Sequence, residues 1–216
     1  MNVTVRRFPQ VDYQPCWEAM RAFTEHRDEG TEDEIWLLEH APVYTLGQAG
    51  KPEHILNPGD IPVVRSDRGG QVTYHGPGQT VAYLMLDVRR LGLGSRAMVD
   101  AIEQSVVDYL RDLGLSASAR ADAPGVYVNG AKIASLGLRI RRNGSYHGLS
   151  LNRDADPGPW QRINPCGHAG QPMTSLAAEG IDLPRHVVEQ DLVNLLGRRL
   201  SLVPRTAPPP DWYTSP

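Results

Sequence analysis

Asparagine-glycine occurs twice between apolar runs, and each pair dictates where an extended chain turns back on itself. Asn129-Gly130 separates residues 126–128 from 132–134, and Asn143-Gly144 separates 136–142 from 145–151. Tight hairpin loops need left-handed backbone, which asparagine and glycine adopt at least cost, so two successive β-hairpins are predicted. Hairpins make antiparallel neighbours, which fixes the character of the sheet before any other element is placed.

The remaining elements fit around that core. Val3 and Val5 predict an opening strand, and Asp12 with Pro15 starts a helix carrying Trp17, Met20 and Phe23 toward Gly30. Residues 34–40, 43–46, 61–64 and 80–86 read as strands. From Ser95, Met98, Val99, Ile102, Val106, Leu110 and Leu113 form one helical stripe that Gly114 stops, and residues 185–200 carry Val188, Leu192, Leu195 and Leu196 at the same spacing. Hairpins in place of regular βαβ crossovers predict an α+β, two-layer fold with a mixed, largely antiparallel sheet and packed helices. With 216 residues, 40% of them hydrophobic, one core is expected: a single domain over residues 1–204, then a proline-rich, frayed tail over 205–216.

Composition excludes several classes. A net charge of −3 lacks the basic footprint of a nucleic-acid binder. The first residues hold no apolar signal core and no later stretch is long enough to span a bilayer, so a soluble, cytoplasmic protein is expected. Cys16 and Cys166 lie far apart without CxxC spacing, which argues for reduced thiols rather than a disulfide framework. His75, His147, His168 and Cys166 follow no paired-ligand spacing, so neither a metal nor another cofactor is expected. Gly92, Gly94 and Ala97 spell GxGxxA, but residues 88–91 separate them from the preceding strand, and SASARAD after the helix lacks a strand core.

Three features carry chemistry. Residues 68–79, RGGQVTYHGPGQ, are costly to order, which points to a turn between strands where backbone approaches a ligand; a ligand-free glycine-rich hairpin fits the composition too. Of 22 basic residues, 20 are arginines, so the two lysines ask for a reason. A lysine amine can be tuned by burial and trade protons, whereas arginine stays charged. Lys132 lies in an apolar strand and is either desolvated or turned outward, while Lys51 sits in a Gly-Lys-Pro turn as a surface charge. Cys166, in Asn-Pro-Cys-Gly, sits in an exposing loop, and Cys16 falls in the first helix as a packed residue. A cation beside a thiol favours the thiolate, and such a pair suits acyl transfer.

Four ordered blocks, RGGQVTYHGPGQ, GAKIASLG (130–137), YHGLSLN (146–152) and INPCG (163–167), resemble those of the lipoate-biosynthesis octanoyltransferases, the lipoate-protein ligase B family. The resemblance spans residues 36–176 and implies the catalytic fold of biotin and lipoate protein ligases. It marks Cys166 as acyl-thioester nucleophile and Lys132 as the residue lowering its pKa. Arg68, Gly69, Gly70, Gln71, Val72, Thr73, Tyr74 and His75, then Ser135, Leu136 and Gly137, then Gly148, Leu149 and Ser150 correspond to substrate-binding blocks. The implied partners are octanoyl-acyl carrier protein as donor, and lipoyl domains of 2-oxoacid dehydrogenase complexes and the glycine cleavage H protein as acceptors. A ping-pong transfer follows, in which Lys132 serves both halves and the amides of Cys166 and Gly167 supply an oxyanion site. His75 would shape the acyl pocket, hydrogen-bond the carbonyl, or be structural. Arg139, Arg141, Arg142 and Arg153 would form a basic docking face or an ordinary solvated strand surface. His168 departs from the aromatic or aliphatic residue common there in the family, placing a second titratable group beside Cys166. An ATP-dependent lipoate or biotin ligase of the same fold, and a non-catalytic carrier-binding module, remain the rival readings.

Overall fold

The computed structural model describes residues 1–120 and 122–213, with the main chain alone at Cys166. In chain order the elements are β1 (Asn2–Val11), α1 (Tyr13–His26), β2 (Asp33–His40), β3 (Val43–Leu46), β4 (Val63–Arg65), β5 (Val72–His75), β6 (Gln79–Met85), α2 (Ser95–Asp112), β7 (Ala117–Ala119), β8 (Val126–Val128), β9 (Ala131–Arg141), β10 (Gly144–Asn152), α3 (Arg185–Leu200) and β11 (Val203–Ala207). Eight strands form one sheet in the order β11-β1-β2-β6-β10-β9-β8-β7, and β4-β3-β5 form a second. The large sheet is antiparallel except where β1 pairs β2 and β11. The fold is therefore the mixed, mostly antiparallel α+β arrangement that the hairpins predict.

Strand alternation explains the layers. Along β2, Ile35 and Leu37 face a core shared with Met98, Ile102 and Val106 of α2 and Val188, Leu192 and Leu196 of α3. Trp36 and Leu38 face the opposite core with Cys16 and Met20 of α1 and Tyr146 of β10. Both faces of the central strands are covered, so β6 and β10 are buried along their whole lengths. A third core of Tyr44, Leu46, Val72, Tyr74, Trp160 and Ile163 holds the small sheet. No helix among the described residues is long and apolar enough to cross a membrane.

Three expectations need correction. The glycine-rich segment is not one turn, because Val72–His75 inside it is itself a buried strand, antiparallel to β3. Branched and aromatic side chains in VTYH favour that pleated setting over a turn. The second hairpin turns at Arg142 (φ +48°) and Asn143 (φ +67°), one residue earlier than Asn143-Gly144, while Asn129 (φ +51°) and Gly130 (φ +83°) turn where predicted. Gly144 serves packing instead: a Cβ there would come within 2.9 Å of Thr24 Cγ2 and 3.2 Å of Arg27 Cδ on the α1 side. Finally, residues 205–213 are not frayed. Val203–Ala207 pair with β1, and the Trp212 ring lies 5.4 Å from Phe8 and 5.3 Å from Trp36. Edge pairing and ring contacts supply the order that sequence periodicity could not reveal; residues 214–216 lie outside the described residues.

Candidate active site

Arg68 opens the glycine-rich segment, and its buried guanidinium works as a backbone clamp. Nε donates to Thr45 Oγ1 at 2.9 Å, Nη2 to the Thr45 and Gln71 carbonyls at 2.6 and 2.7 Å, and Nη1 to the Gly69 carbonyl at 2.8 Å. The loop thus held reaches β9, where the Gly69 amide donates to the Leu138 carbonyl at 3.0 Å. A Cβ on Gly137 would sit 2.9 Å from the Gly69 oxygen, so the two backbones meet only because side chains are missing.

Below this crossing lies a cavity of about 40 Å³, lined by Arg68, Gly70–Thr73 and His75, by Lys132 and Ser135–Gly137, and by Gly148–Ser150. Three chain-distant sequence blocks therefore converge on one wall. Two proposed residues stand elsewhere. Gly69 borders an outer groove of about 500 Å³, with Val99, Leu138 and His168, which shares Gly70, Gln71, Leu136 and Gly137 with the inner cavity. Tyr74 faces the third core, its ring 5.6 Å from Tyr44 and 5.1 Å from Trp160, because neighbouring strand residues point to opposite faces.

Lys132 is 1% exposed, so it is not an outward strand residue. Its Nζ donates to the Pro124 carbonyl at 2.7 Å and stands 5.6 Å from the Tyr127 ring centroid. Gly125 (φ +137°) makes the space: a Cβ there would lie 2.5 Å from Lys132 Cε. The Lys132 amide donates to the Pro172 carbonyl at 2.8 Å and its carbonyl accepts from Thr174 at 3.0 Å, tying β9 to the segment after Cys166.

The main chain of Cys166 occupies a short 3-10 turn, Pro165–Gly167, and its side chain lies outside the described residues. The turn is anchored by the Asn164 amide on the His54 carbonyl at 2.8 Å. Gly167 is left-handed (φ +77°), and its amide donates to the Asn164 carbonyl at 3.0 Å. That amide is consequently engaged, which corrects its expected place in an oxyanion site. His168 is exposed and borders the outer groove. Cys16 is buried in the α1 core, where burial pushes its thiol up. Of the four arginines offered as a basic docking face, Arg141 pairs with Glu25 at 2.6 Å and Arg153 with Glu39 at 3.7 Å and Asp154 at 3.3 Å.

Tyr83 and His147 also line the inner cavity; sequence raised His147 only as a candidate metal ligand and Tyr83 not at all. His147 is 1% exposed and left-handed (φ +58°) in mid-strand. That turn breaks alternation, so consecutive Tyr146 and His147 both reach Asp67: Nε2 of His147 donates at 3.0 Å and the Tyr146 hydroxyl donates to the other oxygen. Trp17 Nε1 adds a third bond at 2.8 Å. Burial pushes the Asp67 carboxyl up, but these hydrogen bonds outweigh it and hold the group well below the usual carboxylate range. Burial pulls the His147 imidazole down against Asp67, keeping it neutral, and its Nδ1 has no hydrogen-bond partner among the described residues. The available signal was the histidine ahead of Gly148 in the YHGLSLN block. Among the described residues no cluster of His, Cys, Asp and Glu could hold a metal ion.

A family model described as the lipoyl protein ligase A/B catalytic domain matches residues 12–196. An octanoyltransferase of Alcanivorax borkumensis is 67% identical over 215 residues, covering 100% of this chain and 87% of that protein. Among solved structures, the bipartite lipoate protein ligase of Thermoplasma acidophilum superposes with TM-score 0.77 at 14% identity, covering 98% of this chain and 89% of that one. The biotin protein ligase of Aquifex aeolicus gives 0.56 at 10% identity, covering 93% and 69%. At such identities these two likenesses speak for the fold alone.

Proposed function

Because the chain belongs to the lipoyl protein ligase A/B catalytic-domain family and, with its octanoyltransferase relatives, is an acyltransferase, we propose that it carries octanoyl groups from octanoyl-acyl carrier protein to a lysine of lipoyl domains. In this reading Cys166 attacks the carrier thioester, the carrier thiolate leaves with a proton from Lys132, and an octanoyl-cysteine thioester remains. The acceptor amine then attacks that carbonyl, gives a proton to Lys132, and releases the Cys166 thiolate. The step would be the first in making lipoyl groups on proteins from an endogenous octanoyl chain.

The observation that supports this most is Lys132, a buried amine at the wall where the three glycine-bearing blocks meet, tied by its own backbone to the segment that follows the Cys166 turn. A cation there favours a thiolate, and an amine there can take up and return the same proton. The ligases of this fold are relatives at 10–14% identity, whereas the 67% relative is an octanoyltransferase, which favours transfer from a thioester over activation of a free acid.

The test supplies purified protein and a lipoyl domain with octanoyl-acyl carrier protein, or with octanoate and ATP. Octanoylation of the acceptor from the carrier without ATP is expected. Modification that requires ATP and free octanoate would instead make the chain a ligase.

A further inference from the structure

A chain of side-chain amides fixes which nitrogen of His75 carries its hydrogen. Asn152 Nδ2 lies 2.9 Å from the Thr174 carbonyl, an acceptor only, so Asn152 must turn Oδ1 toward Gln79. Gln79 Nε2 donates to that oxygen at 3.0 Å and to the Tyr74 carbonyl at 3.3 Å, a second acceptor only. Gln79 Oε1 is what remains for His75, at 3.1 Å from Nδ1, so Nδ1 is the protonated nitrogen. Both amides are oriented by backbone carbonyls, which fixes the direction of every bond in the chain of amides.

His75 lines the inner cavity with Lys132 and is 6% exposed. With Nδ1 held by Gln79, the nitrogen left for the cavity is Nε2, and it carries a lone pair. Burial, with His40 and Arg68 nearby, holds this imidazole well below the usual histidine range, so the ring stays neutral. A neutral ring in this tautomer cannot donate to a thioester carbonyl, which removes one role considered from sequence. It is an acceptor awaiting a donor.

On the transfer reading above, an alkyl chain and a thioester carry no N–H or O–H, and the substrate group at the reacting carbon that does is the acceptor amine. The geometry points to His75 as a catalytic residue of the second half-reaction, whose Nε2 accepts a hydrogen bond from the N–H of the incoming lysine amine. The amine nitrogen bonds to the acyl carbon, the carbon–sulfur bond breaks, and the electron pair leaves on Cys166. One amine proton passes to Lys132. The other stays on what becomes the amide nitrogen and remains hydrogen-bonded to His75, so the contact spans the reaction and aims the amine lone pair at the carbonyl.

Two measurements decide it. His75→Phe keeps a ring to stack on Tyr13, 6.1 Å away in the wild type, and acylation of Cys166 by octanoyl-acyl carrier protein should fall far less than transfer does. Single-turnover transfer from the acylated protein to a lipoyl domain should fall about ten- to a hundredfold, as loss of one buried hydrogen bond implies. Equal loss in both steps, loss confined to acylation, or no loss overturns the assignment. The second measurement needs neither turnover nor a change in this chain: in protein labelled with 15N-histidine at pH 7, His75 should show protonated Nδ1 and unprotonated Nε2. The Nε2 resonance should move on adding the lipoyl domain, and not with that domain's acceptor lysine replaced by methionine. A protonated Nε2, or equal shifts with both domains, overturns the inference. If wild type transfers octanoate only with ATP, the functional reading fails separately and the nitrogen resonance still decides the role of His75.

Discussion

At the scale of single residues, the proposed transfer gives Lys132 both proton steps. Arginine there would keep a positive charge but remove a group able to accept a proton, and methionine would remove both. In Lys132→Arg, alkylation of Cys166 at neutral pH should stay comparatively fast while transfer falls by about 10²–10⁴. In Lys132→Met both should fall. Near-normal transfer in either variant would reduce Lys132 to a packing residue. Sequence exposed this position through an imbalance, two lysines among twenty arginines, but left its side-chain direction open. Gly125, far weaker as a signal, settles it by leaving room for Lys132 Cε. The role of His147 was hidden because a left-handed residue inside a strand leaves no mark on periodicity.

At the scale of elements, close approach and hydrogen-bonded fasteners set what the strands tolerate. A Cβ on Gly148 would fall 2.1 Å from the Ala82 carbonyl oxygen across the β6–β10 pair, while Gly130 has nothing within 4 Å. Gly148→Ala should therefore destabilise by at least about 1–3 kcal/mol through forced strand separation, and Gly130→Ala by about 1 kcal/mol from backbone strain alone. Urea midpoints in the reverse order would contradict this. His40 fastens three strands, Nδ1 donating to the Val11 carbonyl at 3.0 Å and Nε2 accepting from the Tyr83 hydroxyl at 2.6 Å. Burial lowers its pKa from 6.5 to about 4, against the hydrogen bond to Val11. The unfolded chain thus binds a proton first as pH drops, so this stability is complete above pH 6.5 and is lost as pH falls through about 4. The loss amounts to ~3 kcal/mol, and the lowered His75 and His147 add in the same direction. Denaturation between pH 7 and 4 should show a shallower loss in His40→Gln than in wild type; equal slopes would clear His40 of this part.

At the scale of the whole molecule, two covered faces make the large sheet a spine, and the C-terminal segment closes one of them. Phe8, Trp36 and Trp212 form a ring cluster beside β11. Trp212→Ala should lower stability by about 2–3 kcal/mol, given partial burial of a large aromatic. An unchanged urea midpoint would restore the frayed tail. Much of this architecture was legible. Helix α3 begins and ends at the residues its apolar spacing named, and α2 begins at Ser95 and stops just short of Gly114 (φ +83°), because amphipathic periodicity is local. Edge pairing of β11, the small sheet that VTYH joins, and the turn of Tyr74 into the third core depend on partners far along the chain, which no local pattern specifies. The site was legible as blocks, and its cavity, tautomers and Asp67 network only as geometry.

The central claim is a covalent octanoyl group on Cys166, and rapid-quench intact-mass analysis after mixing with octanoyl-acyl carrier protein tests it most directly. An octanoyl adduct is predicted within one turnover, removed by hydroxylamine and discharged by a lipoyl domain, present in Cys16→Ala and absent in Cys166→Ala. Acceptor octanoylation at full rate with no adduct at any quench time would contradict the account and assign the reaction to direct attack by the acceptor amine on the carrier thioester.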